Sequence, residues 1–177
     1  MRCCSSRWPQ ALRVPVDADW GGEISTRKST SGGIVLCGQA VCQSWARIQA
    51  TISLSSAEAE YYTMTSGTME GRFAQSILIE LGMGQLAVRL ETDSSSAKAF
   101  AEHPGVMRMK HMEMRKLFLK DLIREKVIEV RKIKGLQNAS DFLRKAVDIA
   151  AFRRSRDEVP GFVTQTKEEL KLKAEST

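Results

Sequence analysis

Three short apolar runs follow one another in the first fifty residues, and their spacing limits the fold more than any other feature. Leu12 to Trp20 ends at Gly21-Gly22. Gly33 to Cys37 and Val41 to Ile48 are parted only by Gly38-Gln39-Ala40, a break of hairpin length. The stretch between the first two runs, Ile24 to Ser31, is polar and turn-like. These runs predict a meander of three strands, which must then find a layer of helices to cover it.

The rest of the chain supplies that layer. Ser55 opens a long helix that ends near Gly82 and Gly84. Ala87 to Thr92 alternates like a strand, and Ser94 to Glu102 reads as a short helix stopped by Pro104. Arg108 to Lys126 is a long amphipathic helix, Val127 to Ile133 a strand broken by Gly135, and Asn138 to about Ala151 a helix. The order βββαβααβα points to an α/β fold with a mixed sheet. One domain over residues 12–150 suits a chain of 177 residues with 42% hydrophobic content. The charged remainder, 151–177, is expected to be weakly ordered.

Composition narrows the setting. No apolar run approaches the ~20 residues of a membrane span, so no membrane partner is expected. The start, Met1-Arg2-Cys3-Cys4, lacks the apolar segment of a secretory signal. Cysteines 3, 4, 37 and 42 do not form a paired zinc pattern. They read as reduced thiols of an intracellular protein, cytoplasmic or nuclear, with a Cys37–Cys42 bridge as the less favoured alternative. The net charge of +6 permits nucleic-acid binding without requiring it.

Four carboxylates from four separate elements stand out. Asp17 lies on the apolar strand Val16-Asp17-Ala18, with Asp19 on the same strand face. Ser55-x-x-Glu58 matches a capping box, which gives Glu58 a structural task. Glu60 lies ~160° from Glu58 around the helix, above a stripe of Met64, Gly67, Gly71 and Leu78 suited to close packing. Asp93 follows the strand ending at Thr92, and Asp141 opens the last helix. Asp93 and Asp141 each have an ordinary reading as a cap or first-turn acid. Together the four suggest a divalent-metal site, since their mutual repulsion needs a cation to offset it.

Linked motifs carry a resemblance. Asp17-Ala18-Asp19-Trp20-Gly21-Gly22-Glu23 and Arg27-Lys28-Ser29-Thr30-Ser31-Gly32-Gly33 resemble D-A-D-W-A-G-D and R-K-S-T-S-G-Y. Leu54-Ser55-Ser56-Ala57-Glu58-Ala59-Glu60-Tyr61 resembles L-S-S-T-E-A-E-Y. Ser44-Trp45, Asp93-Ser94-Ser95-Ser96-Ala97, Lys110-His111-Met112-Glu113 and Gln137 to Lys145 continue the series in order. These are the motifs of the ribonuclease H domain of copia-type LTR retrotransposon polyproteins. The resemblance implies a ribonuclease H-like fold, a five-stranded mixed sheet in the order 3-2-1-4-5 with helices on both faces. It implies metal-binding, catalytic roles for Asp17, Glu60, Asp93 and Asp141, with Asp19 and Glu23 structural or outside the direct ligand set. Two Mg²⁺ ions, with Mn²⁺ as a substitute, would serve hydrolysis of the RNA strand of an RNA–DNA hybrid. The reverse transcriptase part of a parent polyprotein is an implied partner.

The sequence also departs from the family pattern. Ser94 replaces an asparagine, Lys116-Leu117 replaces a tyrosine-histidine pair, and Leu143-Arg144-Lys145-Ala146 replaces F-T-K-P. Gly67 and Gly71 stand where alanines are usual. No metal acid is lost, but these changes motivate a second reading: a folded, inactive retrotransposon remnant that at most binds nucleic acid. For substrate binding, Ser94, Lys110, Lys116, Lys120 and Arg124 are the candidates. Of these, Lys110, Lys116, Lys120 and Arg124 share a basic arc of the helix 108–126 that could track phosphates, or could be a solvated face. His103 and His111 read as loop and packing residues.

Overall fold

The computed structural model describes residues 9–38, 40–103, 118–144 and 149. The meander is there: β1 (Ala11–Ala18), β2 (Thr30–Cys37) and β3 (Ala40–Ile48) pair antiparallel in sequence. After α1 (Ser56–Glu80), β4 (Ala87–Thr92) lies parallel to β1. Next come α2 (Ser95–Glu102), α3 (Phe118–Arg124 among the described residues) and β5 (Ile128–Lys132), parallel to β4. A 3-10 turn (Gly135–Gln137) and α4 (Asp141–Arg144) follow. The sheet order β3-β2-β1-β4-β5 is the mixed sheet expected from the sequence.

Strand alternation sends side chains to two faces and explains the two helical layers. Val35 joins the main core with Val14, Val16, Val88, Leu90, Tyr61 and Met64. Its neighbours Ile34 and Leu36 point the other way, against Ala139 and Leu143. α1 lies unusually close to its face because Gly67 and Gly71 allow it. A Cβ on Gly67 would fall 2.5 Å from Val16 Cγ1, and one on Gly71 2.8 Å from Val88 Cγ1. The helix-propensity cost of these glycines is thereby exchanged for contact with β1 and β4.

The start of α1 is fixed by its predicted cap. The Glu58 N–H donates to Ser55 Oγ at 3.2 Å, and Glu58 Oε2 accepts from the Leu54 N–H at 2.8 Å. The return bond thus lands one residue before the cap rather than on it. Glu58 also accepts from the Tyr62 hydroxyl and is buried, so its role is structural as the capping box predicts.

Several boundaries differ from the sequence reading: β1 ends at Ala18, two residues short of Trp20, and β5 is one residue shorter at each end. β2 begins at Thr30, three residues before the apolar run, because Thr30, Ser31 and Gly32 pair with Ile48, Arg47 and Ala46. The last helix begins at Asp141 after a separate 3-10 turn, since the Asn138 side chain leaves the helix path to bond elsewhere. Residues 108–117 of the expected long helix and the tail 151–177 lie outside the described residues. Cys37 and Cys42 are free thiols. No helix among the described residues is long and apolar enough to cross a membrane.

Candidate metal centre

The topology brings three of the four predicted acids together. Parallel pairing of β1 with β4 sets their C-terminal ends side by side, with Asp17 near the end of one and Asp93 just past the other. Glu60 reaches the same place from the second turn of α1. One carboxylate oxygen from each of Asp17, Glu60 and Asp93 lies within 4.8 Å of the others. Asp17 is 1% exposed and Glu60 9%, while Asp93 is half-buried, so the group lies largely beneath the surface and opens to solvent at Asp93.

A buried polar network holds α1 at the angle this requires. Gln49 Nε2 donates to Ser31 Oγ and to the Ala59 carbonyl, each at 2.9 Å, and Gln49 Oε1 accepts from Ser53 Oγ at 2.7 Å. Ser31 Oγ and Thr63 Oγ1 share a bond of 2.6 Å. These bonds tie β2 and the segment after β3 to the first turns of α1, next to Glu60. The motif comparison set Ala46-Arg47-Ile48-Gln49 against the K-K-Q that follows the family's third strand, gave Gln49 no structural task, and singled out neither Ser53 nor Thr63. The polar Gln49 and Ser53 bracketing a turn were the only available signal.

The three acids repel one another in a largely buried place. Burial and the nearby charges of Asp17 and then Asp93 push the Glu60 carboxyl up to about 9, against a weaker opposing hydrogen bond from the Ala18 amide. Glu60 Oε2 is buried and has no hydrogen-bond partner. An orphaned carboxylate oxygen facing two further carboxylates fits a hard divalent cation with oxygen ligands, such as Mg²⁺ or Mn²⁺.

Asp141 is not a member of this three-carboxylate group among the described residues. It stands at the start of α4, which is held close to the site by two features. Asn138 Nδ2 donates to the Val16 carbonyl oxygen at 3.0 Å, one residue before Asp17. Gly32, the register partner of Asp17, leaves room for α4: a Cβ there would fall 3.1 Å from Leu143 Cβ. Gly135 similarly lets the 3-10 turn pass close to Asp93, 3.1 Å from its Oδ2 to an added Cβ.

The other predicted residues are placed as follows. Asp19 Oδ1 accepts from the Thr30 N–H at 2.5 Å and closes the turn between β1 and β2. Glu23 accepts from the Ser25 hydroxyl in an exposed turn. Ser94 caps α2, its hydroxyl accepting from the Ala97 N–H at 3.2 Å. Lys120 is half-buried: its Nζ sits 3.9 Å from the Phe100 ring centroid and donates to the His103 carbonyl. Arg124 is exposed and paired with Asp121 at 2.7 Å. Lys110 and Lys116 lie outside the described residues.

Comparison with known proteins gives the site its context. No family model matches the chain. The retrovirus-related Pol polyprotein from transposon TNT 1-94 of Nicotiana tabacum is 32% identical over 139 residues, covering 77% of this chain and 10% of the polyprotein. The chain therefore spans about a tenth of that relative's length. Among solved structures, LC11-RNase H1, isolated from compost by a metagenomic approach, superposes with a TM-score of 0.59 at 12% identity, over 76% of this chain and 92% of its own. The same protein in complex with an RNA/DNA hybrid gives 0.52 at 15% identity, over 75% and 92%.

Fold and strand order thus define a domain of the ribonuclease H fold. Within that class the chain is related to the Pol polyproteins of plant transposons, and its likeness to the ribonuclease H domain of copia-type elements holds.

Proposed function

We propose that the chain is a divalent-metal-dependent endonuclease that hydrolyses the RNA strand of an RNA–DNA hybrid. The observation that carries this is the meeting of Asp17, Glu60 and Asp93 within 4.8 Å, with a buried, unpartnered Glu60 oxygen among them. Support comes from the ribonuclease H fold and from the solved relative of that fold that is bound to an RNA/DNA hybrid. Asp17, Glu60 and Asp93 would hold the metal, with Asp141 approaching from α4. When bound, two divalent cations would supply an activated water and neutralise charge on the scissile phosphate.

The chain's own residues do the rest. Asp17 is fixed by its strand and by the Ala18 N–H, which donates to its Oδ1 at 3.0 Å. The Gln49 network keeps Glu60 from withdrawing with its helix, so the carboxylates are preorganised. Ser94 lies beside Asp93 at the N-terminus of α2, whose dipole favours a phosphate oxygen there.

A second reading, a folded domain without catalytic activity, is favoured by one observation: Asp141 stands outside the carboxylate group among the described residues. Substrate selectivity separates the two. One labelled RNA strand is offered single, paired with RNA and paired with DNA, in Mg²⁺. The proposal expects cutting of the RNA–DNA hybrid alone. Cutting of all three, or of none by a well-folded sample, contradicts it.

A further inference from the structure

Trp20 is an exposed aromatic side chain on the segment that leaves β1 just past Asp17, and nothing above uses it. It lies three residues beyond Asp17 and is 60% exposed. Its exposure is not that of a loose loop residue. The indole Nε1 donates to the Ser53 carbonyl oxygen at 3.1 Å, so the ring edge is pinned while much of its surface meets solvent. The backbone on either side is also held: Asp19 Oδ1 accepts from the Thr30 N–H, and the Gly21 N–H donates to Ser29 Oγ at 3.1 Å. Ser53 is itself anchored in the buried Gln49 network.

Trp20 therefore joins the loop that follows Asp17 to the loop that leads to Glu60. Its bonding partner Ser53 is flanked in sequence by Ile52, 52% exposed, and Leu54, 66% exposed. The segment after Asp17 and the segment before α1 thus carry three exposed apolar side chains, and the Ser53 carbonyl ties the largest of them, Trp20, to the stretch that bears the other two.

We infer that Trp20, with Ile52 and Leu54 beside it, is a substrate-positioning surface that packs on sugar faces in the groove of a bound nucleic-acid duplex. The inference rests on the proposed hybrid as substrate. The chemistry selects sugars over bases: in a duplex the base faces are already stacked, and a wide, shallow groove leaves the sugars as its apolar surface. The ring cannot act on the reacting phosphate, so its effect falls on binding and on register of the strand, not on the chemical step.

The test uses the full chain and two readouts. In Ca²⁺, under conditions where no cleavage is detected, affinity for a labelled RNA–DNA hybrid is measured for wild type, Trp20→Ala, Trp20→Phe and Phe73→Ala. Phe73 is a control, an exposed aromatic on α1 outside the site. In Mg²⁺, KM and kcat are measured for the same proteins. The expected result is a loss on the order of tenfold in affinity and KM for Trp20→Ala, the scale of an aromatic contact to a nucleotide. kcat should stay within about twofold, Trp20→Phe should recover most of the affinity, and Phe73→Ala should match wild type.

Unchanged affinity in Trp20→Ala, or a wild type that does not bind the hybrid, overturns the inference. Binding that depends on Trp20 without any cleavage in Mg²⁺ overturns the proposed activity and leaves the contact standing. If Trp20→Ala fails to fold, fluorescence decides: the hybrid should quench an emission component present in wild type and absent from Trp20→Phe. Equal quenching in both overturns the inference.

Discussion

The Asn138 side-chain amide donates to the Val16 carbonyl oxygen across 3.0 Å, and this bond fastens the segment bearing Asp141 to the strand bearing Asp17. The amide oxygen of Asn138 is also used, accepting from the Ser140 hydroxyl at 2.7 Å and from the Ser140 N–H at 3.2 Å. One buried side chain thus orients the start of α4 against β1.

Asn138→Ala should therefore cost about 1–3 kcal/mol, because the Val16 carbonyl and the Ser140 groups lose their partner in a buried place. Activity per folded molecule should fall as well, since Asp141 loses its anchor. Urea unfolding and single-turnover cleavage on the same preparation check both. Wild-type activity in a destabilised variant would show that α4 is held by packing alone.

Gly67→Ala tests the close approach of α1. Helix propensity favours the change by about 1 kcal/mol, while a methyl 2.5 Å from Val16 Cγ1 opposes it with an overpacking cost of about 1–3 kcal/mol. The expected outcome is net destabilisation in chemical denaturation, with lowered metal affinity because Glu60 moves outward with the helix. Net stabilisation would mean that the interface has slack.

The pH dependence of stability in the absence of metal follows from Glu60. Its folded value, about 9, lies above the ordinary 4.5. Between those values the folded form keeps a proton that the unfolded form releases, so stability is greatest below the lower value and is lost as pH rises towards the upper one. The slope from this one group cannot exceed about 1.4 kcal/mol per pH unit. Thermal unfolding in EDTA from pH 5 to 9 should show this decline in wild type and a flatter profile in Glu60→Gln. Saturating Mn²⁺ should abolish the wild-type decline, because the cation takes the place of the proton.

Glu58 and Glu60 are two residues apart and should separate by experiment. Glu58→Ala removes the partner of the Leu54 N–H and the Tyr62 hydroxyl, and should cost about 1–3 kcal/mol. Metal affinity should change far less than in Glu60→Gln. Manganese titration of both variants measures the difference. Equal loss of metal in the two would undo their assignment to separate roles.

Local signals in the sequence explain which parts of this account could be read early. Ser55 and Glu58 mark the helix start because capping is a contact within four residues. The stripe of Met64, Gly67 and Gly71 marks the packed face because helical periodicity repeats along the chain. Asp17, Glu60, Asp93 and Asp141 each have an ordinary structural reading alone; coming from four separate elements they suggest a metal site together, and the linked motifs strengthen that set. Partners across the fold left no local trace. Lys120 falls on the basic arc of a helical wheel, yet its Nζ lies over Phe100, twenty residues earlier in the chain. Asn138 has the spacing of a helix cap, yet its amide bonds to Val16. The position of Asp141 relative to the other acids depends on the approach of α4 at Gly32, which no spacing encodes.

The most direct test of the central claim compares wild type with Asp17→Asn on a labelled RNA–DNA hybrid, each with Mg²⁺ and with EDTA. The substitution keeps the shape of the side chain and removes its charge from the centre. Cleavage of the RNA strand by wild type in Mg²⁺ alone, absent from Asp17→Asn, is the predicted result. Equal cleavage by the two proteins, or cleavage that survives EDTA, would contradict a metal-dependent centre built on Asp17, Glu60 and Asp93.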